Sequence, residues 1–167
     1  MHLPRYSYYA SESKTLFEFT SEGSKGFIKK LIEYTLVGPE VYNLGFGDMD
    51  ESGETFNDML VSNNGDSYKV LATVAATVVE FTENHPKAAV LASGSTKSRT
   101  RLYRMALNRY LCDIQQQFVI FGYCRNNYWE TFIRDQEYEA FLLTRSENQQ
   151  QLWLELQIVN QMIKTGE

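Results

Sequence analysis

The chain has 167 residues, a formal net charge of −5, 43% hydrophobic residues and 22% charged ones. These are ordinary globular values, so a disordered or collagen-like chain is excluded and a single domain is expected. No apolar run approaches the roughly 18 residues of a membrane span, and the start Met1-His2-Leu3-Pro4-Arg5-Tyr6 lacks the apolar stretch of a secretory signal.

Thr15 to Thr20 alternates apolar and polar positions, with Phe17 and Phe19 flanking Glu18, and reads as a strand. The turn residues Ser21-Glu22-Gly23-Ser24-Lys25-Gly26 lead into a second strand, in which Ile28, Ile32, Tyr34 and Leu36 share one face and Lys29 and Glu33 the other. Gly38-Pro39 breaks it, and Val41 to Asp48 follows as a third strand of an antiparallel meander. Gly45 and Gly47 interrupt that strand, as glycines do at a bulge or where something approaches the backbone closely. After a polar loop, Val70, Leu71, Val74, Val78 and Phe81 recur at helical spacing, with Asp66 or Ser67 as N-cap and Pro86 beyond the end.

Ala88-Ala89-Val90-Leu91-Ala92 has the continuous apolar character of a strand buried on both faces. A helix follows from Lys97. Its apolar stripe is Tyr103, Ala106, Leu107, Tyr110, Leu111 and Ile114, and its outer face holds Lys97, Arg101, Arg104 and Asn108. Strands over 118–123 and 138–144 come next. A Gln-rich helix over 147–163 closes the chain, with Leu152, Leu156, Val159 and Ile163 on one side. The order is β-β-β-α-β-α-β-β-α, an α+β or mixed α/β domain with a mixed sheet over 1–145. Residues 146–167 form a C-terminal amphipathic helix packed on the domain or on a partner. Sheets of this kind bind ligands beyond the carboxyl ends of their central strands, where crossover helices begin.

Charge is segregated along the chain. Residues 97–109 hold five basic residues and no acid, whereas residues 31–68 hold eight acids and no Lys or Arg. An acidic protein with one cationic segment is ill suited to duplex DNA, which wants a broad basic face, so nucleic acid is disfavoured as a partner. It suits the grip of one small anionic ligand. Gly94-Ser95-Thr96-Lys97-Ser98-Arg99 offers backbone amides, hydroxyls and cations at a helix start, with Arg101 one turn on. The plainer alternative is a Ser/Thr cap on a solvated basic helix. Asp48-Met49-Asp50-Glu51-Ser52-Gly53 matches the first half of a calcium loop, but Met59 stands where the bidentate Glu belongs. A solvated acidic loop is therefore expected, and no metal. Beside a ligand cleft, Asp48 is its nearest carboxylate to act as a base. Two cysteines, Cys112 and Cys124, make neither a disulfide framework nor a zinc pattern, which fits a reduced, cytoplasmic protein.

The element order, with Ala88–Ala92 followed by Ser98-Arg99-Thr100-Arg101-Leu102-Tyr103, resembles the GNAT superfamily of acyl-CoA N-acyltransferases over about residues 15 to 145. The resemblance implies a GNAT-like fold, acyl-CoA as cofactor, Tyr103 as general acid to the leaving thiolate, and a phosphate loop at Asn64-Gly65-Asp66. It places a pocket between Gly45–Gly47, Asn64–Asp66 and Gly94–Arg99, with Gly45, Gly47, Asn64, Gly65, Ser95, Thr96, Lys97, Arg99 and Arg101 against the cofactor. The helix-start aspartate competes with phosphate for the same amides, however. The ring of Tyr103 also belongs to an apolar stripe, where a tyrosine ordinarily packs. Tyr42-Asn43-Leu44-Gly45-Phe46-Gly47-Asp48, Lys69-Val70-Leu71-Ala72-Thr73-Val74 and Gly94-Ser95-Thr96…Arg99-Thr100-Arg101-Leu102-Tyr103 resemble an uncharacterised family of small bacterial proteins, a domain of unknown function. Two functions are open: an N-acyltransferase or a degenerate relative of one, and a non-catalytic interaction module. The module would be one member of a toxin–antitoxin-like pair, with a protein partner or a second copy docking through the C-terminal helix.

Overall fold

Alternating side chains set the first sheet. In a computed structural model of the protein, which describes residues 3–50, 52–53, 63–94 and 96–166 and the backbone of 56–57, the chain divides into two compact units, Met1–Pro86 and Lys87–Glu167. Both are α+β, and every described strand pairing within them is antiparallel.

In the first unit, β1 (Tyr9–Ala10), β2 (Leu16–Gly23), β3 (Gly26–Gly38), β4 (Val41–Met49) and β5 (Phe56–Asn57) pair in chain order and α1 (Ser67–Asn84) follows. Register places Phe17 opposite Ile32, Phe19 opposite Lys30, and Ile32 opposite Phe46, so these side chains share one face. That face meets α1: the Tyr34 and Phe81 rings stack with centroids 4.1 Å apart, and the Tyr34 hydroxyl lies 2.9 Å from Thr77 Oγ1. Thr73, Thr77 and Thr82 of α1 are buried and donate back to the carbonyls of Lys69, Val74 and Val78, so their hydroxyls cost no lost hydrogen bond.

Three expectations are met only in part in this unit. Leu36 keeps the register of Ile32 and Tyr34, opposite Tyr42, but is 60% exposed; the β3–β4 register shifts only beyond it, before Gly38. Gly45 and Gly47 sit in regular register opposite Glu33 and Leu31, so the irregularity is not at the glycines. Asp66 stands at the N-cap of α1 without a side-chain cap bond, since its carboxylate is engaged elsewhere.

The second unit runs β6 (Ala89–Ala92), α2 (Lys97–Ile114), β7 (Phe118–Cys124), β8 (Tyr128–Thr131), β9 (Ala140–Arg145), a 3-10 turn (Ser146–Asn148) and α3 (Gln149–Thr165). The last strand is inserted, giving the order β6-β9-β7-β8. Gly122 of β7 lies under the Tyr138 ring; a Cβ there would stand 2.4 Å from Tyr138 Cδ1, which requires glycine. The Tyr138 hydroxyl donates to Glu130 Oε1 at 2.7 Å and accepts from Ile133 N at 3.0 Å. Strands β1, β5 and β8 are additions to the expected order. Asn126-Asn127 turns the chain, with Asn127 at φ 61°, and Tyr123 pairs with Trp129 across the hairpin.

Strand β8 ends its sheet, and its open edge is closed by one side chain. Asn160 of α3 accepts from Trp129 N at 2.7 Å and donates to Trp129 O at 2.9 Å, so its amide stands in for a neighbouring strand. Leu152 and Leu156 of α3 are buried, and Trp153 stacks on Phe121 with centroids 6.0 Å apart.

Candidate functional site

The segment from β6 to α2 folds on its own hydroxyls. Thr96 caps α2 by accepting from Arg99 N at 3.2 Å, and Thr100 Oγ1 donates to Thr96 O at 3.2 Å while accepting from Gly94 N at 3.1 Å. A Cβ on Gly94 would come within 2.3 Å of Thr100 N, so the tight turn depends on glycine. Ser95 lies outside the described residues. The cations behind the turn do not share a direction. Lys97 and Arg101 are exposed, Arg104 pairs with Glu137 at 3.5 Å, and the Arg109 guanidinium lies over the Tyr110 ring. Of the five, Arg99 is the one drawn inside, 4% exposed, on the same side of α2 as buried Tyr103, Leu107 and Leu111. Its position on the buried side was missed in the sequence because a guanidinium at the head of an apolar stripe reads as solvated.

The other expected residues are in the first unit. Asn64 is 1% exposed and its polar atoms hold the β2–β3 turn. Its Oδ1 accepts from Lys25 N at 2.6 Å, its Nδ2 donates to Ser21 Oγ and to Gly26 O at 3.0 Å each, and its carbonyl accepts from Ser24 N at 3.1 Å. Gly65 follows in the left-handed region at φ +80°. Asp66 Oδ2 then accepts from the hydroxyls of Tyr6, at 2.6 Å, and Ser21. Burial first, and then the hydrogen bond to Asp66, raises the Tyr6 phenol above its ordinary range. A phosphate at this helix start would meet a carboxylate already seated there, and the Asn64 side chain has its donors and acceptor engaged.

Asp48 forms an ion pair with Lys30 directly across the β3–β4 ladder. Lys30 is buried, so the carboxylate faces an ammonium held within the fold. That is a structural pairing, in which loss of one partner would strand the other charge. In the acidic loop, Asp50 Oδ1 accepts from Ser52 Oγ at 2.6 Å and Gly53 N at 3.0 Å, within the turn that the bond from Gly53 N to Asp50 O closes. Glu51, Glu54 and Met59 lie outside the described residues. Among the described residues no group of three or more His, Cys, Asp or Glu could hold a metal, and no helix is long and apolar enough to cross a membrane.

The expected residues thus fall into two sets, Gly45, Gly47, Asp48, Asn64 and Gly65 in the first unit and Thr96, Lys97, Arg99, Arg101 and Tyr103 in the second. Cys112 and Cys124 are both free, and burial pushes the Cys124 thiol up, away from the thiolate a nucleophile needs.

Helix α3 carries two apolar stripes. Leu152 and Leu156 face inward, and the opposite side holds Leu154, Ile158 and Met162 at i, i+4 and i+8, exposed by 57%, 62% and 48%. Across Gln149–Thr165 the charges are Glu155 and Lys164 alone. The helix is therefore almost neutral and apolar on two sides, a pattern that fits a second contact. Beside its first turn an open hollow of about 510 Å³ is lined by Phe121 and Trp153 with Thr131, Ser146, Glu147, Gln149 and Gln150. The outer stripe was legible in the sequence as a second period of four, but the inner stripe had already accounted for the helix.

Residues 2–146 match the model of a family described as a family of unknown function, DUF6934. No curated protein and no solved structure matches the chain.

Proposed function

The chain belongs to the family of unknown function DUF6934, and we propose that it acts as a protein-interaction module whose docking element is α3. One observation carries this reading: Leu154, Ile158 and Met162 form an exposed aliphatic stripe on the side of α3 opposite buried Leu152 and Leu156, while Val159 and Ile163, which continue the inner side, are 38% and 40% exposed. Fully burying such a side chain stabilises by about 1.5–3 kcal/mol, so a partner covering the exposed parts of all three would gain on the order of 3–5 kcal/mol before association costs. The β6–α2 turn, by contrast, spreads most of its cations into solvent or onto Glu137 and Tyr110.

The test is whether binding depends on the stripe. The tagged chain, expressed in its own cells, should retain a partner or a second copy of itself at stoichiometric yield, and Ile158→Glu should release it without change in far-UV circular dichroism. Binding that survives Ile158→Glu together with Leu154→Lys would refute α3 as the docking element.

A second reading is favoured by Arg99 and Tyr103, buried one turn apart on α2 directly after β6. Their placement suits the anion-accepting, N-acyltransferase-like pocket that the sequence resemblance implies. On this reading millimolar acyl-CoA raises the melting temperature, and Arg99→Lys reduces the rise while Tyr103→Phe leaves it intact. A melting temperature that acyl-CoA does not move would remove this reading.

A further inference from the structure

We infer that the edge of β8 takes up an extended peptide of a partner protein at Thr131, one with an aliphatic side chain followed two residues on by a lysine or arginine. The site lies beside the first turn of α3, apart from the outer stripe, and does not depend on that stripe docking. Alternation along the strand fixes where the edge is open. Phe132 N donates to Ile120 O at 2.9 Å, toward β7, whereas both backbone groups of Trp129 turn the other way, to Asn160. Backbone direction repeats every second residue, so the N–H and C=O of Thr131 point outward beside those of Trp129, about 7 Å along the edge. Among the described residues no protein group bonds them. Asn160 thus closes the edge at Trp129 and leaves the next outward pair open. Its side chain also shows what the edge accepts: an amide that gives one N–H and takes another, as each residue of an extended chain does.

Thr131 also lines the open hollow of about 510 Å³, a volume ordinary for a ligand pocket. It stands opposite Phe121, so both side chains rise on one face of the sheet, where Trp153 stacks on Phe121. A peptide residue paired with Thr131 sends its side chain to that same face. Trp153 is 39% exposed there, and an aliphatic side chain would cover it. Glu147 is the one charged residue among those lining the hollow. The next peptide side chain on that face is two residues along, where a lysine or arginine has a carboxylate to meet and an acid would be repelled.

The test titrates the full chain with the peptide acetyl-Thr-Leu-Thr-Lys-Thr-amide and follows backbone-amide and indole resonances. Saturable shifts are expected at the Thr131 amide and the Trp153 indole, with a dissociation constant of about 0.1–2 mM. Methylating the leucine nitrogen of the peptide removes one edge bond and should weaken binding about five- to tenfold. Glutamate in place of its lysine should weaken binding as well. In the protein, Thr131→Pro deletes the outward N–H without touching the ladder to β7, and should abolish the shift at Trp153. The methylated peptide tests the same edge on the unaltered chain. The absence of saturable shifts up to about 5 mM peptide overturns the inference. So does a methylated peptide that binds as tightly as the parent, which would place the contact away from the strand edge. A glutamate peptide that binds as tightly as the lysine one overturns the role of Glu147 and with it the basic character of the partner.

Discussion

Lys30 and Asp48 oppose each other on a face otherwise made of Phe17, Phe19, Ile32 and Phe46. A charge pair in such surroundings adds little net stability, yet each half depends on the other. Asp48→Asn should therefore destabilise the protein by about 3 kcal/mol, read by urea titration, whereas the double variant Lys30→Met/Asp48→Leu should lie within about 1 kcal/mol of wild type. If Asp48→Asn were silent, the buried Lys30 ammonium would not depend on Asp48. Tyr138 makes a prediction of its own. Burial, the hydrogen bond to Glu130 and the nearby Glu130 and Cys124 charges raise its phenol well above the ordinary value. A pKa raised on folding contributes stability that is fully present below the unfolded value of about 10 and is lost as pH rises through the folded one. The melting temperature should fall between about pH 10 and 12, and Tyr138→Phe should make that fall shallower; an equal slope would dismiss Tyr138 as its source.

At the scale of elements, β8 is the most exposed strand end of the second unit, and the one residue Asn160 satisfies both outward backbone groups of Trp129. Asn160→Leu keeps the branched shape of the side chain and removes both bonds. It should cost about 1–2 kcal/mol and speed amide exchange at Trp129, while the buried Phe121 amide in β7 stays protected. Equal exchange at Trp129 in both proteins would show that another group closes the edge. The same helix explains why its composition is so unusual. Asn160 bonds to the Trp129 backbone and Gln151 to Glu155, and the two aliphatic sides of the helix stay free of charge. Element boundaries were legible in advance because hydrophobic period changes at each of them, from two in β2 to near four in α1. Strand β8 was missed because its four residues are too short for a period, though the Asn126-Asn127 turn between two aromatic runs marks it.

Across the whole molecule, each unit builds its own core, one around Phe17, Ile32 and Phe81, the other around Phe121, Phe141 and Leu156. The cationic segment sits in the second unit and the acidic stretch in the first, so the charge asymmetry of the sequence follows the division of the fold. The order of the longer elements, the α+β class, the turn glycines and the amphipathic character of α3 all follow from local chemistry: periodicity, backbone freedom and capping act between neighbours and can be read from neighbours. The roles of Asn64, Asp66, Lys30 and Arg99 cannot. Asp66 accepts from a hydroxyl 60 residues away and Asn64 from a turn 39 residues away. A polar side chain signals the same thing in a sequence whether it awaits a ligand or closes a turn. Which of the two it does is set by the partners that folding brings within about 3 Å, and tertiary structure decided that for Asn64, Asp66 and Lys30 while drawing Arg99 onto the buried side of α2.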